Sequence, residues 1–302
     1  MSNSTKRGGG IIKWIIFVVV FLSVVYFGIG AYAANTLTYP QRVFSTDIAP
    51  SQLYEDVRFL ARGGDVEIAG WHIYQAGNTR VVILAHGIHC SRTCEFEGGW
   101  VDFADALVEA GIDVLMIDLR GHGQSGDSRF SFGKYERYDV LGALDWLLDE
   151  GYQPGRIGAL GVSLGGASTI GATVEDTNIS ALVVDSTFSD VYPVIEGQWT
   201  NQSGLPNFFL PGVLVMNRLL FGEDLAAARP VEEIDKIEPR ALLIIHCRGD
   251  TWVPFSQAEE LYAAAPFAET WFVEGGGHVK LFKVDTQKYY DHIIAFYDEH
   301  LQ

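Results

Sequence analysis

Five unbroken apolar runs, separated by segments of helical spacing, constrain this chain more than any other feature. Val81 to Ala85, Val114 to Ile117, Ile157 to Leu160, Ala181 to Val184 and Ala241 to Ile245 contain no polar side chain. A strand with one wet face alternates apolar and polar residues, so these runs belong to strands covered on both faces. Between them, Trp100 to Ala110 and Tyr138 to Glu150 read as helices, the second through Val140, Leu141, Leu144, Leu147 and Leu148. Alternating strands and helices predict a doubly wound, mostly parallel α/β sheet, with ligands beyond the carboxyl ends of its strands. Val66 to Tyr74 alternates and is expected as a half-buried strand, and Glu269 to Val273 is a further strand-like run.

The N-terminus has a different character. Trp14 to Ala33 is charge-free and rich in Ile, Val and Phe, approaching the roughly 20 residues that cross a hydrocarbon core as a helix. Lys6, Arg7 and Lys13 precede it and only Arg42 follows closely, which by the positive-inside rule keeps the N-terminus cytoplasmic and exports the rest. The rival is a cleaved signal peptide, because Ala31-Tyr32-Ala33 has the small-x-small form of a cleavage site. Residues 1–34 are thus a cytoplasmic N-terminus with a transmembrane anchor, or a signal peptide, and 35–52, with Pro40 and Pro50, an extended linker. Residues 53–302 form the folded domain. Within it, 187–234 is longer than a crossover helix needs and is read as a cap insertion. Its Trp199, Leu205, Phe208, Phe209, Leu210, Leu214, Met216, Leu219 and Phe221 have three possible uses: lining the site, covering the sheet or meeting the bilayer.

A net charge of −17 offers no basic footprint for nucleic acid and opposes binding to anionic headgroups, so membrane attachment has to come from apolar insertion. Of three cysteines, Cys90 and Cys94 are close enough to pair in an oxidising compartment, and Cys247 lies in an apolar run as a buried thiol. No metal is implied, because His86 and His89 are not in a His-Glu-x-x-His setting and no second Cys/His pair has zinc spacing.

The chemistry-bearing segment is Gly161-Val162-Ser163-Leu164-Gly165, between an apolar run and the small-residue helical stretch Gly166 to Ala172. A serine between two such glycines can occupy a sharp strand-to-helix turn that lifts its hydroxyl above the sheet, although the same pattern also serves as an inert tight turn. A serine nucleophile needs a base, and the base needs an orienting acid. His278, after Gly275-Gly276-Gly277, is the best-placed base, and Asp250, just beyond the run through Ile245, the best-placed acid. Asp185 ends another run and is the rival acid.

Four blocks carry a family resemblance from about Leu53 to the C-terminus: His86-Gly87, Asp118 to Gly126, the Gly161 to Gly165 elbow, and Gly249 to Pro254 followed by Gly277-His278. Together they resemble the α/β-hydrolase superfamily, and most closely its membrane-anchored or secreted esterase-like and serine-aminopeptidase-like members. Dienelactone hydrolases and prolyl oligopeptidase catalytic domains are less similar, and the His-Gly-Gly-Gly loop of some lipases is replaced at Ile88 and His89. The chain order Ser163, Asp250, His278 matches that fold. The resemblance implies backbone oxyanion donors at Leu164 and Ile88, no cofactor, and loop-organising roles for His86 and His122, with His89 either near substrate or facing solvent. A small-molecule or acyl substrate is expected, with a carboxylic ester first. A peptidase using Glu196, Glu223 or Asp224 to bind an amine, a thioesterase, and a non-catalytic binding module are the alternatives.

Overall fold

The computed structural model describes residues 5–302, with side chains from residue 10 onward. Lys6 and Arg7, which bear on the expected orientation, lie outside the described side chains. A helix, α1 (Thr5–Leu37), precedes the domain, and its Gly10–Leu37 part is long and apolar enough to cross a membrane, its most apolar 18 residues having a mean hydropathy of 2.5. It runs four residues past the expected Ala33, so the segment taken as linker begins as helix. The remainder of that segment lies on the domain, where Asp105 accepts hydrogen bonds from the Ser51 N–H (2.8 Å) and Oγ–H (2.7 Å).

Eight strands form one sheet: β1 (Tyr54–Leu60), β2 (Glu67–Ile73), β3 (Arg80–Ala85), β4 (Ile112–Ile117), β5 (Ile157–Val162), β6 (Ile179–Asp185), β7 (Ala241–Cys247) and β8 (Glu269–Val273). Their order is β1-β2-β4-β3-β5-β6-β7-β8, with β2 antiparallel to both neighbours and every pair from β4 to β8 parallel. The apolar runs divide their residues between two cores with period two, as strands buried on both faces must. In β3, Val81, Ile83 and Ala85 join one core, while Val82 and Leu84 join the other. The first core is covered by α3 (Glu136–Asp149), α4 (Leu164–Glu175) and α7 (Phe255–Ala264), and the second by α2 (Gly99–Glu109) and α9 (Thr286–His300).

Two strand expectations change. The alternation in Val66 to Tyr74 suggested one exposed face, but every residue of β2 except Glu67 is buried. Both faces of β2 are covered: Trp71 packs against Phe44, Tyr54 and the Arg92 guanidinium on one, and His72 against Trp146 and the Tyr152 hydroxyl (2.9 Å) on the other. Its edge neighbour β1 exposes most of its own residues, with only Val57 buried. That weak pattern also hid β1 from the sequence reading.

The 187–234 insertion holds α5 (Val191–Ser203) and α6 (Leu210–Phe221). Its Trp199, Leu210 and Val213 do not cover the sheet: they form a separate core with Ala33 and Ala34 of α1. Helix α3 meets the β1 edge at Gly142, where an added Cβ would overlap the Leu60 carbonyl oxygen and lie 2.9 Å from Ala61 Cα. Replacing Gly142 by alanine is expected to cost about 1–3 kcal/mol by overpacking. Urea denaturation in detergent would read this as a lower midpoint, and an unchanged midpoint would contradict the close approach.

Candidate active site

The elbow expected at Ser163 is present. Ser163 joins β5 to α4 at φ 52° and ψ −112°, a backbone region that side-chain-bearing residues occupy only under constraint. The constraint comes from its neighbours, because a Cβ at Gly161 would collide with the Gly165 carbonyl and one at Gly165 with the Ala85 carbonyl. The Ser163 N–H donates to the Asp185 carbonyl oxygen (2.9 Å), tying the turn to β6.

Asp250 follows β7 and His278 follows β8, so three neighbouring regions of the sheet's carboxyl edge supply the three side chains. Ser163 Oγ–H donates to His278 Nε2 (3.0 Å), and His278 Nδ1–H donates to Asp250 Oδ2 (2.8 Å). The other Asp250 oxygen accepts from the Trp252 and Val253 N–H groups at 2.8 and 2.9 Å, so the carboxylate cannot turn away. The loop bearing the base is held by Val279 N–H donating to Ser186 Oγ (3.1 Å). Asp185, the rival acid, is committed elsewhere: it accepts from Tyr289 O–H (3.0 Å) and Ser186 O–H (2.9 Å), and burial raises its pKa to about 6.

Ile88 borders the same cavity as Ser163, and Leu164 follows Ser163 in the chain. Leu164 opens α4, where the first N–H groups have no intrahelical acceptor and the helix dipole favours negative charge. Among the described residues no group accepts from the Ile88 N–H. The turn carrying Ile88 is fixed by a residue the sequence reading did not single out. Buried Glu95 accepts the Gly87 N–H (2.7 Å), and burial pushes its own pKa up. Its position directly after Cys94 was the available signal, since Cys90 and Cys94 form a disulfide that closes this loop.

His86 and His122 act on backbone, not on the serine. His86 Nδ1–H donates to the Gly87 carbonyl (2.7 Å) while Nε2 accepts the Leu119 N–H (3.0 Å). His122 Nδ1–H donates to the Arg120 carbonyl (2.9 Å), and its Nε2 accepts the His89 N–H (3.2 Å). Each ring therefore uses one donor and one acceptor, which only the neutral form supplies. His89 borders the site and accepts the Gln41 N–H at Nδ1 (3.2 Å). Asp118, in the Asp118 to Gly126 block, braces the same loop by accepting the Arg92 N–H (2.8 Å) and Gln124 N–H (2.9 Å) and pairing with the Arg92 guanidinium.

A cavity of about 380 Å³ fronts Ser163 and His278 and is bordered by Gly87, Ile88, Glu95 and Trp252. Ile88, His89 and Trp252 also line a second, apolar cavity of about 140 Å³ closed by Phe130, Trp199, Leu210 and Val213. A serine hydroxyl, an imidazole and an oriented carboxylate thus meet near the Ile88 N–H, with an apolar cavity adjoining.

Residues 82–283 match the alpha/beta hydrolase family. The chain belongs to this family. It is similar to an esterase of Pyrococcus furiosus, with 25% identity and a TM-score of 0.73 over 88% of this chain and 98% of that one. The uncharacterized protein YqkD of Bacillus subtilis is 25% identical over 237 residues, 77% of this chain and 75% of its own. The uncharacterized protein YfhR of Salmonella typhi is 25% identical over 281 residues, 88% of each chain. This alpha/beta hydrolase therefore aligns with these relatives over 77–88% of its length.

Burial disfavours the charged imidazole, lowering His86 to about 4 and His122 to about 3. Their contribution to stability is present above the unfolded-state value and is lost as pH falls from about 6.5 through the folded values. At pH 5 the loss amounts to roughly 2 kcal/mol for each ring, partly offset by buried carboxyls such as Asp185 that titrate in the opposite sense. NMR of the ring resonances is expected to find both histidines neutral at pH 5. Midpoints near 6.5 would contradict their backbone-bracing role.

Proposed function

We propose that this hydrolase cleaves carboxylic esters through a serine acyl-enzyme. The observation that carries the reading is the hydrogen-bonded line from Asp250 through His278 to Ser163, at 2.8 and 3.0 Å. Ser163 Oγ attacks the acyl carbon as His278 Nε2 takes its proton, while Asp250 keeps the ring in the Nδ1–H tautomer and stabilises the imidazolium. The Ile88 and Leu164 N–H groups receive the developing oxyanion. His278 then gives its proton to the departing alkoxide, leaving the acyl group on Ser163. Water then attacks the acyl carbon as His278 Nε2 takes its proton, and the second tetrahedral intermediate collapses as that proton passes to Ser163 Oγ, releasing the acid and restoring the hydroxyl.

The surroundings favour an ester over an aminopeptidase substrate, which needs an acidic side chain for its free amine. Glu196 is exposed on α5, Glu223 faces Lys134 (3.8 Å), and Asp224 faces Arg218 (3.7 Å). Acids that border the catalytic cavity are engaged, Glu95 by the Gly87 N–H and Glu97 by Lys280 (3.2 Å) and Lys283. The cavity that adjoins this one at Ile88 and Trp252 is apolar instead.

We also read α1 as an uncleaved anchor. The small-x-small site lies inside the continuous helix, and cutting after Ala33 would divide two residues buried beneath the cap. The Cys90–Cys94 disulfide suits an oxidising compartment, which supports a catalytic domain on the extracytoplasmic side.

A fluorophosphonate probe is expected to label the full-length protein and not Ser163→Ala, whose ester turnover should fall by about a thousandfold or more. Equal labelling of the two proteins would remove Ser163 from the mechanism.

A further inference from the structure

The cap touches α1 where α1 is expected to be inside the bilayer. From Trp14 to Leu37 the helix has no charged residue. A span needs about 20 residues, and any such stretch within this segment includes both Tyr26 and Gly30. Those two residues meet the cap. Tyr26 O–H donates to the Phe208 carbonyl (2.8 Å) and accepts the Gly212 N–H (3.1 Å), and a Cβ at Gly30 would lie 2.9 Å from the Gly212 carbonyl oxygen. Tyr26 precedes the end of α1 by 11 residues, about 16 Å of helix.

With α1 spanning a bilayer, the turn between α5 and α6 lies at hydrocarbon depth, and its hydrogen bonding and exposed apolar side chains suit that depth. Backbone polar groups surrounded by lipid require partners, and the single Tyr26 hydroxyl serves one carbonyl and one N–H of this turn. Apolar side chains are among those the cap exposes, Phe208 at 62%, Leu219 at 72% and Leu220 at 52%, beside the polar Asn207 and Arg218. In water such a cluster beside a spanning helix would be unfavourable, whereas in a leaflet it is solvated.

Three cavities follow one another between this region and Ser163, each sharing a wall with the next. One of about 410 Å³ lies between α1 and the end of α5, bordered by Ile29, Tyr32, Leu37 and Leu205. Leu37 also borders the apolar 140 Å³ cavity. That cavity shares Ile88 and Trp252 with the one in front of Ser163.

We propose that the α5–α6 cap is seated in the leaflet facing the catalytic domain and that the substrate is a long-chain acyl ester lipid taken laterally from it. The carbonyl sits at Ser163 and the tail runs past Trp252 and Val213 toward Leu37. This inference rests on the ester-hydrolase reading and adds the substrate class and its route of entry.

The test uses full-length protein in phosphatidylcholine vesicles. An environment-sensitive fluorophore on Phe208→Cys is expected to shift to the blue and to be quenched by lipids spin-labelled along the acyl chain. Emission typical of water, without quenching, would overturn the leaflet placement. On hexadecanoyl and butanoyl nitrophenyl esters, the wild type is expected to have the higher kcat/KM for the long chain. Val213→Trp, which fills the apolar cavity, should lower that long-to-short ratio roughly tenfold, as expected when a pocket loses space for a few methylenes. If Ser163 takes the fluorophosphonate and the butanoyl ester is cleaved, but the long chain is not preferred, the lipid proposal falls and the hydrolase reading stands. If neither labelling nor any ester turnover occurs, the hydrolase reading fails and takes the lipid proposal with it. A poorly folded Val213→Trp leaves the wild-type chain-length profile and the Phe208 probe to decide.

Discussion

A serine held at φ 52° and ψ −112° is the constraint around which the rest of this molecule is arranged. The conformation is unfavourable for a residue with a Cβ and persists only where the surroundings over-determine it. Here Gly161 and Gly165 let β3, β5 and α4 approach without clash, and the Ser163 N–H is held by the Asp185 carbonyl. The geometry places the hydroxyl at the carboxyl edge of the sheet, directly before the first N–H of α4. Strain at one residue thereby presents a serine hydroxyl beside a helix N-terminus, the pairing on which the proposed chemistry draws.

The loops above that edge are fixed by buried polar groups whose partners are backbone atoms. His86, His122, Glu95 and Asp118 hold the turn that carries Ile88, while Ser186 holds the turn that carries His278. Unpaired, each of these groups would cost free energy in the interior, and paired they leave the loops little freedom. Asp185 shows how position and role can separate. It ends β6 beside the site, yet its carboxylate faces Tyr289 and Ser186, and its contribution to the elbow is made through the main-chain oxygen.

Much of this was legible in the sequence because it depends on local pattern. The apolar runs became β3 to β7, since burial on both faces removes polar alternation, and the glycine-flanked serine became the elbow because its turn demands small neighbours. The three side chains distant in sequence converge because each follows a strand at the same edge of a parallel sheet. What was hidden depends on tertiary context. Strand β1 buries only Val57, so its pattern is weak, and β2 looked half-exposed because alternation cannot report what packs over its second face. Glu95 carries no motif, as its role arises from the loop folding it back onto Gly87. The apolar cap residues could not be assigned from helical spacing alone, and their packing on α1 emerges only in three dimensions.

The sheet edge that carries Ser163 and the apolar helix α1 are joined through the cap, since Trp199, Leu210 and Val213 pack with α1 and also close the cavity beside Ile88. The proposed chemistry rests on one convergence, that of Ser163, His278 and two backbone N–H groups around a single acyl carbon. A crystal structure of the protein inhibited by an alkyl phosphonate tests it most directly. The account predicts a bond from phosphorus to Ser163 Oγ, with the phosphoryl oxygen within hydrogen-bond distance of the Ile88 and Leu164 nitrogens. An adduct on another residue, or a phosphoryl oxygen directed away from both nitrogens, would contradict it.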